Sequence, residues 1–290
     1  GHRAATVPRP TADRDHRGIE QVDSNVAAHA LPSVERQRLL VELLGRIEIA
    51  DAPGNPQILY AMGANATNSS VLGVWRSDDG GANWTQRTTS SGIQSGGCSN
   101  ASGGGSQMWY DAGLTVDPNN PETVLLSGVD LYRSINGGTT FQDITCGYGN
   151  GNVHVDHHAR AFLPNGFGGY DSNKLLSGSD GGVFYTANAQ FGTGGSTTSN
   201  RPTFISLNQT IGSIELYSGD ITAGFATAAN PGASAGAQDN GSEYARWPSG
   251  NQEPVQWTVR NGGDGIYTRI EPVNEQRWYY ASQNGAVVVS

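Results

Sequence analysis

Three aspartates lie in glycine-rich turns, where a carboxyl group can reach a ligand. Asp180 is in Ser-Asp-Gly-Gly, Asp239 is in Gln-Asp-Asn-Gly, and Asp264 is in Gly-Gly-Asp-Gly. Two carboxyl groups held ~5 to 9.5 Å apart hydrolyse glycosidic bonds, one as acid and the other as nucleophile or base. The sequence therefore offers Asp180, with Asp239 or Asp264, as a candidate catalytic pair.

Aromatic, amide and acidic side chains accompany one of these turns and the start of another segment. Aromatic rings stack on sugar rings, and amides both donate to and accept from hydroxyl groups. Such residues bind neutral polar ligands, so we predict that they form the ligand-binding group. The candidates are Trp109, Tyr110, Asp111, Gln238 and Asn240.

A histidine cluster suggests metal binding as a second chemistry. His154, Asp156 and His158 alternate along the chain, so a strand would place all three side chains on one side. Two imidazoles and a carboxylate suit zinc or another transition metal. Calcium prefers oxygen ligands and would fit Asp239, Asn240 and backbone carbonyls better. Structural hydrogen bonding and catalysis remain alternatives for the histidines, and the sequence requires no cofactor.

A segment that occurs twice indicates which elements position these residues. Residues 77–84 read Ser-Asp-Asp-Gly-Gly-Ala-Asn-Trp, and residues 134–141 read Ser-Ile-Asn-Gly-Gly-Thr-Thr-Phe. Asp or Asn bonds to the backbone two residues on and Gly supplies a positive φ, so each segment predicts a hairpin turn. The residues that define the pattern, which we expect to be structural, are Ser77, Asp79, Gly81, Trp84, Ser134, Asn136, Gly138 and Phe141.

Turns rich in Pro and Asn also recur, each between two apolar runs. They lie at 51–56, 117–121 and 271–275, with a looser version at 163–166. Combined with the repeated segment, each unit reads as four antiparallel strands, which is the blade of a β-propeller. We therefore predict an all-β fold of four-stranded blades, with the repeated turns on one face and the candidate site residues on the other.

The predicted blades span about 45–89, 110–145, 153–207 and 214–259, with a partial blade at about 265–290. Closed propellers usually have four to eight blades, and about four and a half are visible here. We therefore expect a longer polypeptide or another chain to complete the ring. Residues 1–44 are predicted to be an arm or linker, in which 34–44 form either a short helix or the lead-in to the first strand.

Composition limits the class of protein and of partner. The chain has 41 Gly, 15% charged residues and a net charge of −9. An acidic balance disfavours nucleic acid and anionic membranes as partners. The sequence contains no apolar run long enough to cross a bilayer, so no membrane span is expected.

The cysteines and sequons point to an oxidising compartment. Cys98 and Cys146 both lie in polar loops rich in Gly and Ser, which favours a disulfide over two free thiols. Six Asn-x-Ser/Thr sequons add support for a secreted glycoprotein. They begin at Asn65, Asn68, Asn83, Asn100, Asn208 and Asn240.

The repeated segment resembles the Asp box, or BNR repeat, of sialidase-like β-propellers. Residues 154–162, 177–186 and 236–242 look like bacterial secreted glycosyl-hydrolase-like proteins, and are similar to the propellers of xyloglucanases and of the sortilin type. The resemblance covers about 45–290 and implies structural Asp boxes. It also suggests a catalytic role for Asp180, although its Ser-Asp-Gly-Gly-Val-Phe phrase is one residue short of the xyloglucanase pattern. The Arg-Ile-Pro motif of true sialidases is missing, so sialidase activity is not expected.

Two functions follow as hypotheses. One is an extracellular β-propeller that binds or hydrolyses polysaccharide through the loops named above, with its status as an enzyme left open. The other is a non-enzymatic structural or adhesion propeller, a subunit of a cell-surface or extracellular assembly whose partners are further protein chains.

Overall fold

The computed structural model describes residues 44–98, 107–148, 153–211, 214–248, 256–283, 285 and 287–290. The chain divides into two compact units, one of residues 1–179 and 183–206 and the other of residues 180–182 and 207–290. The predicted arm, apart from Leu44 at the start of the first strand, lies outside the described residues.

The first unit contains three sheets. The first sheet has the strands β1 (Leu44–Ala52), β2 (Asn55–Asn65), β3 (Val71–Ser77) and β4 (Thr85–Thr88) in that order. The second has β5 (Ile93–Gln94), β6 (Gly113–Asp117), β7 (Asn120–Ser127), β8 (Leu131–Ser134) and β9 (Phe141–Asp143), with β5 parallel to β9 at one edge. The third has β10 (His157–Pro164), β11 (Tyr170–Ser179), β12 (Gly182–Thr186) and β13 (Phe204–Ser206). Short 3₁₀ turns occupy Ser90–Gly92 and Thr198–Asn200.

The second unit contains two sheets. One has β14 (Leu216–Ile221), β15 (Gly232–Ala237), β16 (Gly241–Arg246) and β17 (Thr258–Asn261) in order. The other has β18 (Gly265–Ile270), β19 (Trp278–Ser282) and β20 (Val287–Val289). A 3₁₀ turn at Asn208–Thr210 precedes them. Consecutive strands pair antiparallel within the sheets, which confirms the predicted all-β class built of four-stranded blades and one partial blade.

Burial on both faces of β7 explains why the sheets of the first unit pack against one another. Val124 and Leu126 belong to a buried cluster with Tyr60 and Met62 of β2. Leu125, between them, belongs to a second cluster with Phe162, Leu175 and Phe184 of the third sheet. Successive side chains of a strand point to opposite faces, so one apolar run serves two interfaces. Each such side chain contributes about 1.5–3 kcal/mol to folding.

The two copies of the repeated segment form closely similar hairpin turns, β3–β4 and β8–β9. Ser77 Oγ accepts from the Gly81 amide at 2.9 Å, as Ser134 Oγ does from Gly138 at 2.9 Å. The Asp79 carboxylate accepts from the Asn83 amide, and Asn136 Oδ1 takes the same role toward Thr140. Gly80, Gly81, Gly137 and Gly138 all have positive φ, which Gly adopts without strain. These side chains are therefore engaged within their own turns.

Small residues bring the two sheets of the second unit together. β15 reads Gly-Ala-Ser-Ala-Gly-Ala and is buried along its whole length. A Cβ at Gly236 would lie 2.6 Å from the carbonyl oxygen of Ile266 on β18, so the backbones meet where side chains would clash. Tyr244 of β16 and Trp278 of β19 also pack edge to face, with ring centroids 4.5 Å apart.

The predicted disulfide joins Cys98, which follows β5, to Cys146, which follows β9. Both cysteines are buried. Within the part of the chain that the structure describes, no helix is long and apolar enough to cross a membrane.

Candidate functional site

An exposed aromatic cluster lies in the first unit, in the segment that leads into β6. Trp109 and Tyr110 have ring centroids 5.5 Å apart, and Tyr110 packs edge to face on His158 at 4.7 Å. Trp109 is 61% exposed and Tyr110 is 37% exposed. Both side chains are therefore partly accessible to a ligand while they contact each other and His158.

The backbone of this segment is fixed by contacts from several elements. Gln107 has a φ of +57° and accepts from the Tyr110 amide at 2.7 Å. Its side-chain amide donates to the Asp156 carboxylate at 3.0 Å, and Arg46 of β1 donates to the Tyr110 carbonyl. Asp111, the residue that follows Tyr110 in the chain, is fully buried. The aromatic platform is thus preformed, which lowers the entropy lost on binding.

The expectation that one strand presents His154, Asp156 and His158 is wrong. β10 begins only at His157, and Asp156 has a φ of +62°, which breaks the alternation on which the prediction depended. Among the described residues, the groups of three metal-ligating side chains within 4.8 Å do not include this trio. His154 bonds to the Val155 carbonyl at 3.1 Å, Asp156 accepts from Gln107, and His158 packs on Tyr110.

The neighbouring His157 is buried, so a ligand cannot reach it. His157 has no exposed surface and bonds through Nδ1 to Ser177 Oγ at 2.9 Å. Burial, together with the nearby charge of Arg160, lowers the pKa of His157 to about 3. The imidazole is therefore neutral at ordinary pH and acts as part of the sheet interior.

A carboxyl pair lies in the second unit. Asp180 follows β11, and Asp239 lies in the β15–β16 turn with a φ of +57°. A carboxylate oxygen of Asp180 lies within 4.8 Å of one from Asp239, and both residues are half-buried. The two turns are also joined by Asn240, whose amide donates to the Asp180 carbonyl at 3.5 Å.

Asp264 bonds to the backbone of the turn that carries Asp239. Its Oδ1 accepts from the Asp239 backbone amide at 2.9 Å, and its own amide donates to Gln283 Oε1 at 2.9 Å. In the β15–β16 turn, Gln238 Oε1 accepts from the hydroxyl of Tyr217 on β14 at 2.9 Å. Burial, with the charges of Asp264, Glu215 and Asp239, raises the pKa of Tyr217, so this hydroxyl keeps its proton and remains a donor.

The donor atoms present limit which metals fit. Asp180 and Asp239 offer hard oxygen ligands suited to calcium, but they supply only two of the roughly six to eight oxygens that calcium takes. Cys98, Asp143 and Cys146 also lie together, but the two sulfurs are joined as a disulfide and provide no thiolate for zinc.

The sequence prediction missed the residues that position the site. Gln107, Arg46 and Tyr217 hold the aromatic cluster and the Gln238 turn, yet they lie in segments without a repeated pattern. For Gln107 the sequence held one local signal. It lies two positions before Trp109, close enough to belong to the same turn as the aromatic pair.

Comparisons with known proteins concern the architecture. Neither a protein-family model nor a curated protein matches the sequence. A GH74 enzyme from Niastella koreensis is 18% identical, with 84% of this chain and 34% of that chain covered and a TM-score of 0.40. The GH74 xyloglucanase from Xanthomonas campestris is 17% identical, with 83% and 36% covered and a TM-score of 0.26.

A third similar structure is YCF48 from Cyanidioschyzon merolae, which is 11% identical, with 83% of this chain and 93% of that chain covered and a TM-score of 0.23. The chain spans about a third of the length of the two GH74 structures. All three neighbours are β-propellers. The assignment of the fold here rests on the paired sheets themselves.

Proposed function

We propose that the protein is an extracellular, Asp-box-type propeller protein that acts on polysaccharide. The observation that carries the proposal is the exposed, preformed pair Trp109 and Tyr110, because accessible aromatic faces beside polar groups bind sugar rings. The acidic net charge is compatible with a neutral glycan, and the Cys98–Cys146 disulfide supports an oxidising compartment.

We further propose hydrolysis by Asp180 and Asp239 in the second unit. One carboxyl group would protonate the leaving oxygen while the other attacks the anomeric carbon, and water would then release the sugar. Retaining enzymes hold the two carboxyl groups ~5 Å apart, whereas inverting enzymes leave ~6.5 Å or more for a water. The oxygen separation of at most 4.8 Å supports the retaining geometry.

Binding is tested with a panel of neutral polysaccharides that includes xyloglucan, measured by affinity electrophoresis and calorimetry. Trp109→Ala should weaken binding by about tenfold or more, because stacked aromatic side chains dominate such interfaces. Phe167→Ala is the matched control, since Phe167 is 95% exposed on the β10–β11 turn of the same unit. Equal affinity of the Trp109 variant and the wild type would refute the proposed binding surface.

Hydrolysis is tested with Asp180→Asn and Asp239→Asn against Asp51→Asn, an exposed control near the end of β1. Asn tolerates the positive φ of position 239, so that variant should keep the fold. Both site variants should lose turnover while they keep the wild-type melting temperature. For the wild-type protein, NMR of the first product should show that the anomeric configuration is retained. Full activity in either variant would remove that carboxyl group from the mechanism.

A second candidate function is a structural subunit completed by another chain. The observation that favours this function is the exposure of the apolar strand β20, in which Val287, Val288 and Val289 are 68%, 47% and 54% exposed. Within the described residues β20 pairs with β19 alone, and an exposed apolar edge of this kind can accept a strand from this chain or from another. Native mass spectrometry tests this, because a strictly monomeric protein at all concentrations would argue against it.

A further inference from the structure

A pocket lies in the second unit, at the place where β14 and β18 end. Its volume is about 310 Å³. The end of β14 and the residues after it form one side, and the end of β18 and the residues after it form the other. The residues on which the following argument depends are Asp220, Ile221, Thr222, Arg269, Ile270 and Pro272. They are separate from the aromatic cluster and from the carboxyl pair described above.

Hydrogen bonds to the backbone fix both sides of this pocket. The Ile270 amide donates to Oδ2 of Asp220 at 2.9 Å, which joins the ends of β18 and β14. Thr222 is buried, and its amide donates to the Gly232 carbonyl at 2.9 Å. The Thr222 hydroxyl oxygen accepts from the Gly232 amide at 3.0 Å. The walls are therefore held before a ligand enters, so little ordering entropy is lost on binding.

Arg269 supplies a positive charge that a ligand can reach. Its side chain is exposed, and the ion pairs among the described residues do not include it. One Nη donates to the carbonyl of the preceding Thr268 at 3.3 Å. A guanidinium carries several further N–H groups in a planar fork that matches a carboxylate. Most of the donors of Arg269 therefore remain for a carboxylate ligand.

Asp220 supplies a negative charge in the same pocket. Its Oδ1 accepts from the Ile221 amide at 3.0 Å, and its Oδ2 accepts from the Ile270 amide at 2.9 Å. A carboxylate has about four lone-pair sites, so these bonds leave acceptor capacity on both oxygens. Because Asp220 bonds to the residue that follows Arg269, the two charged groups face one small space. An ammonium group, which only donates, suits the remaining sites of Asp220.

The rest of the pocket is mainly aliphatic. Ile221 is 58% exposed, Pro272 is also exposed, and Ile270 is buried behind them with 6% exposure. Covering this apolar surface with a hydrocarbon side chain favours binding. The volume lies at the lower limit of the ~300–1,000 Å³ of ligand sites, so the occupant is small.

We propose that this pocket binds a free α-amino acid with an aliphatic side chain, such as leucine. Its carboxylate bonds to Arg269, its ammonium group bonds to Asp220, and its side chain covers Ile221. The formal charges of the lining residues cancel, as those of a zwitterion do. A simple anion would be repelled by Asp220 and a simple cation by Arg269, so the zwitterion is favoured over both. The inference does not depend on polysaccharide binding in the first unit.

The first test is calorimetric titration of the 290-residue protein with leucine, isocaproate and isoamylamine. Isocaproate is leucine without its ammonium group, and isoamylamine is leucine without its carboxylate. Saturable binding of leucine is expected, with each analogue weaker by about tenfold or more, because each loses a hydrogen bond between charged groups. Absence of saturable leucine binding, or an analogue that binds as tightly as leucine, overturns the proposal.

Arg269→Gln then locates the carboxylate. The position is exposed, so the fold should be kept, and leucine affinity should fall by about tenfold. Isoamylamine has no carboxylate, so its affinity should not fall, whereas structural damage to the pocket would weaken both ligands. Arg277→Gln is the matched control, because Arg277 is an exposed arginine of the same unit that already pairs with Glu271. Wild-type leucine affinity in the Arg269 variant would overturn the site.

Ile221→Thr tests the aliphatic wall, since it keeps the branched Cβ of this strand position and shortens the apolar surface. Leucine affinity should fall by about threefold and glycine affinity should not change, because glycine has no side chain to lose the contact. Ile205→Thr, at a 55% exposed position on β13, is the matched control. An equal loss for both ligands, or no loss for leucine, overturns the placement of the side chain.

Trp109→Ala separates this pocket from the aromatic cluster of the first unit. Leucine affinity should be the same in this variant and in the wild type, even where polysaccharide binding is lost. Weaker leucine binding in the Trp109 variant would show that leucine occupies the aromatic cluster, and would overturn the assignment to the pocket of Asp220 and Arg269.

Discussion

The backbone amide of Asp239 donates a 2.9 Å hydrogen bond to Oδ1 of Asp264. This bond ties the β15–β16 turn, in which Asp239 adopts a positive φ, to the segment that precedes β18. Asp264 therefore positions the turn that carries a candidate catalytic carboxyl group.

Asp264→Ala should lower hydrolysis by about tenfold to a hundredfold, because a small misplacement of a catalytic group costs rate steeply. Asp264→Asn keeps an oxygen acceptor for the Asp239 amide and should retain most activity. Initial rates and KM of both variants provide the check. An equal loss in both variants would show that the charge of Asp264 matters, and no loss in either would contradict its positioning role.

Asp143 should make the protein less stable as the pH rises. Burial, together with the charge of Asp130, raises the pKa of Asp143 to about 8, against the lowering effect of the Cys146 and Thr145 amides. The unfolded value is about 3.9. Between these values the folded state binds the extra proton, so the free energy of unfolding falls from about pH 4 to pH 8 and then levels off.

Asp143→Asn should flatten this dependence, since Oδ1 still accepts from the Thr145 and Cys146 amides while the charge is removed. Urea denaturation at a series of pH values provides the measurement, with Asp51→Asn as the exposed control. A variant with the wild-type slope would mean that Asp143 is ionised throughout.

Ser134→Ala should destabilise the protein by about 1–3 kcal/mol, because the buried hydroxyl accepts from the Gly138 amide and donates to Asn136. Ser77→Ala should behave similarly, since Ser77 makes the same two kinds of contact in the first turn. Ser91→Ala, at an exposed position, is the control. If either turn variant melts with the wild type, the hydroxyl does not stabilise that turn.

Gly236→Ala should destabilise the second unit by about 1–3 kcal/mol through overpacking. The new Cβ would lie 2.6 Å from the Ile266 carbonyl oxygen, and backbone cannot move away as a flexible side chain can. Gly219→Ala on the neighbouring strand is the matched control, because its nearest atom is 3.4 Å away. Equal unfolding midpoints for the two variants would show that β15 and β18 separate without cost.

Removal of the disulfide by Cys98→Ser with Cys146→Ser should lower stability by about 2–4 kcal/mol, because the bridge restricts a long loop in the unfolded chain. Thermal unfolding of this variant, compared with the wild type before and after reduction, checks the value. A reduced wild type as stable as the oxidised protein would contradict it.

Residue types and their spacing were enough to predict the elements that depend on contacts between near neighbours in the chain. The β-hairpin at 77–84 follows from Ser, Asp and Gly at fixed offsets, because these side chains bond to amides within the same turn. The apolar runs on either side of the Pro/Asn turns predicted pairs of consecutive antiparallel strands for the same reason. With only two cysteines, the sequence allowed one pairing and favoured it over free thiols, and the structure shows that the disulfide forms.

Which distant side chains meet could be seen only after the sheets had been placed in three dimensions. The positive φ of Asp156 removed the strand on which a metal site at 154–158 depended, and spacing alone does not reveal such a conformation. Asp264 became an acceptor for Asp239, and Asp220 and Arg269 came to line one pocket, through contacts between segments far apart in sequence. Such contacts depend on how the sheets pack and on where loops cross them, and no local pattern of residue types encodes either.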